Sequence, residues 1–153
     1  MDFLLPRRFN LSYIDSNGEK QVPVVLHRAI FGSIDRFMAY YLEETKGALP
    51  TWLAPVQAKI LPITDKQLEY ARKVKEELLN KGIRVELDER QEKLGYKIRE
   101  AQMEKVPYIL VLGDKEIEAN AVGVRSRKAG DIGQMQIEAF IEKIQEEIDD
   151  KTR

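Results

Sequence analysis

The chain has 153 residues, of which 43% are hydrophobic and 33% charged, a composition that suits a globular protein with a buried core. A formal net charge of −1 excludes a uniformly basic protein, so any nucleic-acid contact must come from a local basic patch. The absence of cysteine excludes disulfides and thiolate metal sites within this chain. No stretch reaches the roughly 18 apolar residues of a membrane span, and the first residues lack the order of a signal peptide, so we expect a cytoplasmic protein with no membrane partner.

The first third of the chain is predicted to form a β-hairpin followed by a helix. The segment DSNG has the composition of a tight turn, and it separates FNLSYI from EKQVPVVLHRAI, whose valines favour a strand. Ser33 is a suitable N-cap for a helix that ends near Lys46 and Gly47. One face of this helix carries apolar residues at helical spacing, namely Ile34, Phe37, Met38, Tyr41 and Leu42.

The segment ALPTWLAP is the predicted domain boundary. Its two prolines, Pro50 and Pro55, frame Trp52 in a stretch that suits neither a helix nor a strand. We therefore divide the chain into residues 1–50 and residues 51–153.

Strands and helices alternate after this boundary. The segments VQAKILPI, IRVEL, YILVLG and GVRSRK are predicted strands. Thr64 and Gln67 form a capping box that starts the first helix, which Gly82 ends. A second helix is predicted over residues 93–105, and a closing helix carries apolar residues from Ile137 to Ile148.

The second domain is therefore an α/β domain with a mixed β-sheet flanked by helices, in the order βαβαββα. Only a short polar turn separates YILVLG from GVRSRK, so we expect these two strands to be antiparallel.

Two residues of the first domain have candidate roles in ligand binding. His27 is the only histidine, and composition alone favours a structural role, because a metal site needs further ligands that do not lie nearby in the sequence. Arg36 follows a strand–glycine–helix turn, an arrangement that can bind an anion, although a solvated helix arginine would look the same.

A cluster of polar residues is expected along one edge of the second domain, where ligands bind to open α/β sheets. Gly95, Arg99 and Gln102 share one face of the second helix, opposite Leu94 and Ile98. A merely solvated charged face is the competing interpretation. The cluster comprises Arg90, Gln91, Lys93, Lys97, Arg99, Glu116, Arg125 and Arg127.

Taken together, these segments closely resemble the threonyl-tRNA synthetases, which are class II aminoacyl-tRNA synthetases. The segment VVLHRAIFGSIDRF resembles the third class II motif of that family, and ALPTWLAPVQ resembles its interdomain junction. The segment DERQEKLGYKIREAQMEKVPYILVLGDKE resembles the core of its anticodon-binding domain. The resemblance implies a C-terminal part consisting of the end of the catalytic domain, residues 1–50, and an anticodon-binding domain.

The resemblance also implies roles for individual residues. In the catalytic part, His27 matches a zinc ligand, Ser33 lies near the bound threonine, and Arg36 contacts ATP as the catalytic arginine of motif 3. In the second domain, the positions that match contacts to anticodon bases are Gln91, Arg99, Glu116 and Arg125. Gln91 stands where the family often has asparagine. We further predict that Lys93, Lys97 and Arg127 contact RNA phosphates.

The resemblance implies that the full-length enzyme uses ATP, magnesium and zinc, forms a homodimer and attaches threonine to its tRNA. Motifs 1 and 2 do not occur in this sequence, so we expect the chain alone to be inactive and to bind the anticodon loop of threonine tRNA. The alternative is a non-catalytic RNA-binding or regulatory module derived from a synthetase of the histidyl, prolyl or glycyl type.

Overall fold

A computed structural model describes residues 1–152 of the chain. The chain divides into two compact units, Met1–Tyr40 and a second unit that starts at Tyr41. Each unit is described by itself. Within residues 1–152, no helix has the length and apolar character that crossing a membrane requires.

The first unit contains the predicted hairpin in a shorter form. Strands β1 (Tyr13–Ile14) and β2 (Lys20–Gln21) pair antiparallel, and the carboxylate of Asp15 holds the turn by accepting two backbone hydrogen bonds of 2.9 Å. The longer second strand was predicted wrongly. Between β2 and α2, the only pairing that the described residues show is an isolated bridge of Val25 with Asp2, and the intervening Pro23 has no N–H to donate.

Two helices accompany the hairpin. Helix α1 (Leu4–Arg8), which the sequence analysis missed, starts where Asp2 Oδ1 accepts hydrogen bonds from the backbone of Leu4 and Leu5. Helix α2 (Ile34–Glu44) agrees with the prediction, and the first helical bond runs from Phe37 N–H to the carbonyl of Ser33. Gly47 ends α2 in a left-handed conformation with φ of +75°.

The second unit carries a five-stranded mixed sheet in the order β4-β3-β5-β6-β7. Strands β3, β4 and β5 are parallel, and β6 is antiparallel to β5 as predicted. The strands are β3 (Ala58–Pro62), β4 (Val85–Leu87), β5 (Tyr108–Leu112), β6 (Ala121–Ser126) and β7 (Gly130–Gln136). The helices are α3 (Leu68–Asn80), α4 (Leu94–Met103), α5 (Asp114–Glu118) and α6 (Ile137–Asp149).

Helices flank the sheet on both faces, as predicted. The main core lies on one face, where Ile60 and Leu110 pack with Val74 of α3 and Phe140 of α6. On the other face, Leu61 and Ile109 pack with Ala101 of α4, because successive strand residues point to opposite faces. Gly123 and Arg125 of β6 remain half-buried.

Local signals placed the first helix of this unit correctly. The Thr64 backbone N–H donates to Gln67 Oε1 over 2.7 Å in the predicted capping box, although a short 3-10 turn, Asp65–Gln67, precedes α3. Helix α5 and strand β7 were not predicted from the sequence. Strand β7 contains two glycines and only two half-buried apolar residues, Ile132 and Met135, so it lacks a recognisable apolar alternation.

Candidate nucleic-acid interface

Glu116 is fixed beside strand β6 by the backbone of the preceding turn. Its Oε2 accepts a hydrogen bond of 2.9 Å from the N–H of Gly113, which closes a capping box at the start of α5. A Cβ added at Gly123 would lie 3.8 Å from Glu116 Oε1. The second carboxylate oxygen therefore stands over the exposed side of β6, at a position where the strand has no side chain.

Arg125 lies two residues further along β6, on the same face of the sheet as Gly123. Its Nε is 3.9 Å from Asp131 Oδ2 in β7, and the Asp131 side chain is 67% exposed. So long and exposed an ion pair stabilises little, and it leaves the guanidinium available for a ligand. Glu116 and Arg125 thus present an acceptor and a donor group side by side.

Helix α4 contributes Arg99 and Gln102 to the same face. Ala101 and Ile98 face the sheet, and the helical period turns Arg99 and Gln102 together towards one flank of α4. Gln102 and Arg125 line one cleft of about 270 Å³. Within residues 1–152, the exposed guanidinium of Arg99 has no hydrogen bond or ion pair.

Gln91 belongs to a different part of the domain edge. It lies in the loop between β4 and α4, where its Nε2 donates to Asp65 Oδ2 over 2.9 Å. Both residues line a cavity of about 250 Å³ beyond the carboxyl ends of β3 and β4. The structure therefore places Glu116 and Arg125 together on β6. Arg99 lies on the outer flank of α4, in a cavity with Tyr96 and Met103, and Gln91 lines a separate cavity.

Two of the three predicted phosphate contacts have their charged groups engaged inside the protein. Lys97 is 3% exposed, and its Nζ donates to the backbone carbonyl of Asp88 over 3.1 Å. The guanidinium of Arg127 donates to the carbonyls of Lys105 and Leu49, and burial lowers the pKa of Arg127. This corrects our expectation, because a phosphate contact would require these bonds to break.

Lys93 differs from these two residues. It is exposed, and its amino group has no hydrogen bond or ion pair within the described part of the chain. Of the three residues predicted to contact phosphates, only Lys93 has a charged group with no hydrogen bond or ion pair within residues 1–152.

Arg90 organises the loop that carries Gln91. Its guanidinium bonds the carboxylates of Asp88 and Glu100, which joins the end of β4 to α4. These hydrogen bonds hold the pKa of Asp88 below its ordinary value. Arg90 is thus part of the scaffold, whereas the neighbouring Gln91 keeps an exposed side chain.

The first unit carries the remaining predicted residues. His27, Ser33 and Arg36 are all exposed, and Arg36 lies one helical turn after Ser33, on the same side of α2. No group of three histidine, cysteine or acidic residues in the described chain is arranged to hold a metal ion. A protein zinc site needs about three protein ligands, so the described residues do not by themselves fit zinc at His27.

Comparison with known proteins decides the family. The family model described as "Anticodon binding domain" matches residues 57–147. The chain belongs to the anticodon-binding domain family. Threonine–tRNA ligase of Clostridium botulinum strain Hall is 59% identical over 152 residues, which are 99% of this chain and 24% of that protein. The Clostridium tetani enzyme of the same name is 55% identical over 151 residues, with the same coverage. The chain thus spans about a quarter of the length of these curated relatives.

Solved structures agree with this assignment. The RNA-binding domain of threonyl-tRNA synthetase from Cryptosporidium parvum is 40% identical, with a TM-score of 0.83 over 95% of this chain and 37% of that one. Prolyl-tRNA synthetase from the same organism, complexed with halofuginone and AMPPNP, is 22% identical, with a TM-score of 0.69 over 95% of this chain and 31% of that one. The second likeness shows a shared fold.

Proposed function

We propose that this chain is the C-terminal part of a threonine–tRNA ligase and that its second unit binds the anticodon loop of threonine tRNA. The observation that carries the proposal is the pair Glu116 and Arg125 on one face of the sheet, with groups left free to bind a ligand. Helix α4, which covers the same face, carries the unengaged guanidinium of Arg99. Sequence similarity supports it, because the chain is 59% identical to a threonine–tRNA ligase in an alignment that covers 99% of the chain. It also favours this role over a regulatory module of the histidyl, prolyl or glycyl type.

The chemistry of the three side chains suits the reading of an unpaired base. RNA loops present splayed bases whose edges are open to hydrogen bonding. An arginine donates two bonds to the O6 and N7 acceptors of guanine, while a carboxylate accepts from guanine N–H groups. Because the N–H of Gly113 donates a hydrogen bond to Oε2 of Glu116, we assign the other carboxylate oxygen, Oε1, to the base.

Gln91 and Lys93 extend the proposed contact surface along the loop before α4. A side-chain amide has an NH₂ group that donates and a carbonyl oxygen that accepts. Gln91 donates from Nε2 to Asp65, which leaves its carbonyl oxygen for an RNA donor. Lys93 provides a charge for a phosphate, which contributes affinity without reading the sequence.

In the full-length ligase we propose that Ser33 lies beside threonine and that Arg36 contacts ATP bound with magnesium. On the same assignment, we propose that the full-length ligase is a cytoplasmic homodimer. His27 would serve as one ligand of a zinc ion that selects the threonine hydroxyl. No step of the proposal depends on that ion, because the described residues do not hold three suitable ligands together.

Titration of an anticodon stem-loop tests the proposal. The chain should bind the loop of threonine tRNA more tightly than a loop with a scrambled anticodon, and Arg99→Ala should weaken cognate binding by about 1–3 kcal/mol. Lys73→Ala in α3, on the opposite face of the sheet, is the charge-matched control and should retain wild-type discrimination. Equal affinity of the wild-type chain for both loops would exclude anticodon reading.

A further inference from the structure

Gln67 is a buried polar side chain outside the set of residues proposed to contact RNA. It ends the 3-10 turn that follows β3, and it is 2% exposed. The backbone N–H and the hydroxyl of Thr64 both donate to Gln67 Oε1, each over 2.7 Å. Because these two bonds identify the oxygen of the amide, they also fix the direction of its NH₂ group. A buried NH₂ group needs an acceptor, so the identity of that acceptor is informative.

The acceptor is Asp114, which lies 47 residues later in the chain. Gln67 Nε2 donates to Asp114 Oδ1 over 2.6 Å. Asp114 is the first residue of α5 and directly follows Gly113, the N-cap of that helix. The bond therefore joins the turn after β3 to the turn after β5, and these two strands are parallel neighbours in the sheet. A carboxylate acceptor makes this one of the stronger kinds of hydrogen bond.

The start of α5 is also the support of Glu116. The N–H of Gly113 donates to Glu116 Oε2 over 2.9 Å. A Cβ built at Gly113 would lie 2.9 Å from both Glu116 Oε2 and Ile63 Cδ1, so the carboxylate is packed closely against this backbone position. Because Asp114 is covalently attached to Gly113, a shift of Asp114 moves the N–H that the carboxylate of Glu116 caps.

We propose that Gln67 is a positioning residue for Glu116 and that its hydrogen bond to Asp114 determines where the Glu116 carboxylate stands over β6. The inference rests on the proposed function, in which Glu116 Oε1 accepts from a guanine base. Gln67 does not touch RNA, because its amide is buried and both its oxygen and its nitrogen are bonded within the domain. Hydrogen bonds weaken steeply with poor geometry, so a displaced carboxylate discriminates less well between guanine and other bases.

Gln67→Glu and Asp114→Ala break this hydrogen bond from its two sides. Gln67→Glu keeps an oxygen for the capping box but places a second carboxylate against Asp114. Asp114→Ala removes the acceptor at an exposed position and leaves the capping box intact. The measured quantity is the ratio of affinities for the cognate stem-loop and for a loop whose central guanine is replaced, because a change of net charge affects both loops alike. This ratio should fall roughly tenfold in both variants, as for a lost base contact.

A double exchange provides the rescue. Gln67→Glu combined with Asp114→Asn places the donor on the opposite partner, keeps the net charge of the wild type, and should restore the wild-type ratio. Gln145→Glu in α6 is the charge-matched control, because the amide of Gln145 also donates to a backbone carbonyl, and it should keep the wild-type ratio. A wild-type ratio in both Gln67→Glu and Asp114→Ala would overturn the proposal. A ratio that stays low in the double exchange would also overturn it, because the bond would then be restored without effect.

A double-mutant cycle with Glu116→Gln shows whether Gln67 acts through Glu116. Glu116→Gln should itself lower the ratio, because it removes the acceptor offered to guanine. Adding Gln67→Glu to that variant should cause no further loss, since the contact that Gln67 positions is already absent. If the two losses multiply instead, Gln67 acts by another route, and this inference fails while the anticodon proposal stands. If the wild-type chain binds no stem-loop, the anticodon proposal fails and this inference fails with it.

Discussion

The guanidinium of Arg127, which directly follows β6, donates a hydrogen bond of 2.7 Å to the carbonyl of Leu49, which lies 78 residues earlier in the chain. Arg84 acts in the same way on Trp52 and Ala54, whose carbonyls accept bonds of 2.9 and 3.0 Å. The segment between α2 and β3 is therefore attached to the sheet domain through its own backbone carbonyls.

Removal of the Arg127 side chain should loosen this segment. Arg127→Ala leaves half-buried carbonyls without donors, so the free energy of unfolding should fall by about 1.5–3 kcal/mol. Backbone amides of residues 48–54 should exchange with solvent faster than in wild type. Chemical denaturation and hydrogen exchange measure the two effects, with the exposed Lys93→Ala as control. Unchanged exchange in residues 48–54 would show that Arg127 does not hold the segment.

Lys93, which directly precedes α4, and Lys97 within α4 provide a matched pair with different expected effects on stability. Lys97→Met leaves the carbonyl of the buried Asp88 without its donor, which should cost about 1–3 kcal/mol of unfolding free energy. Lys93→Met changes an exposed side chain and should stay within about 0.5 kcal/mol of wild type. Urea denaturation measures the free energy of unfolding of both variants. Equal losses of that free energy would contradict the internal role of Lys97.

The same pair should behave in the opposite way towards RNA. Lys93→Met should weaken binding to cognate and scrambled stem-loops alike and reduce the slope of log affinity against log salt by about 1. Lys97→Met, measured where it remains folded, should leave that slope unchanged. A reduced slope in Lys97→Met would show that Lys97 contacts a phosphate despite its burial.

Asp88 should make stability depend on pH in the acid range. Hydrogen bonds from Arg90 lower the pKa of its folded-state carboxyl below the ordinary 3.8. Its stabilising contribution is therefore complete above the unfolded-state pKa and is lost as pH falls through the folded-state pKa. The unfolding free energies of wild type and Asp88→Asn should converge as pH falls from 6 to below 3.8. A constant difference across that range would contradict the assignment.

Features encoded by neighbouring residues could be predicted from the sequence, whereas long-range contacts could not. The capping box of Thr64 and Gln67 needs only residues three apart, and it occurs as predicted. The hydrogen bonds of Arg84 and Arg127 to the segment before β3 join residues far apart in the chain, and no pattern of neighbouring residues predicts them. Lys97 did have a signal, because it lies three residues after Leu94 and four before Ala101, on the apolar side of α4.

The position of Glu116 determines how its proposed role must be tested. Glu116→Ala would remove both the contact to the base and the cap on Gly113 N–H, so weaker RNA binding would have two explanations. Glu116→Gln is the sharper change, because glutamine also completes a capping box through its side-chain oxygen. Thermal unfolding should therefore be close to wild type, which confirms that the cap is retained.

RNA binding by Glu116→Gln then separates two physical effects. The substitution removes a negative charge, so long-range electrostatics alone would tighten binding to every stem-loop. If Glu116 reads guanine, the amide oxygen stays on Gly113 and an NH₂ group faces the N–H groups of the base, which lose their acceptor. Cognate affinity should then fall by about 1–3 kcal/mol, with little change for a loop whose central guanine is replaced. Fluorescence titration of both loops measures this, and cognate binding equal to or tighter than wild type would remove Glu116 from the base-reading set.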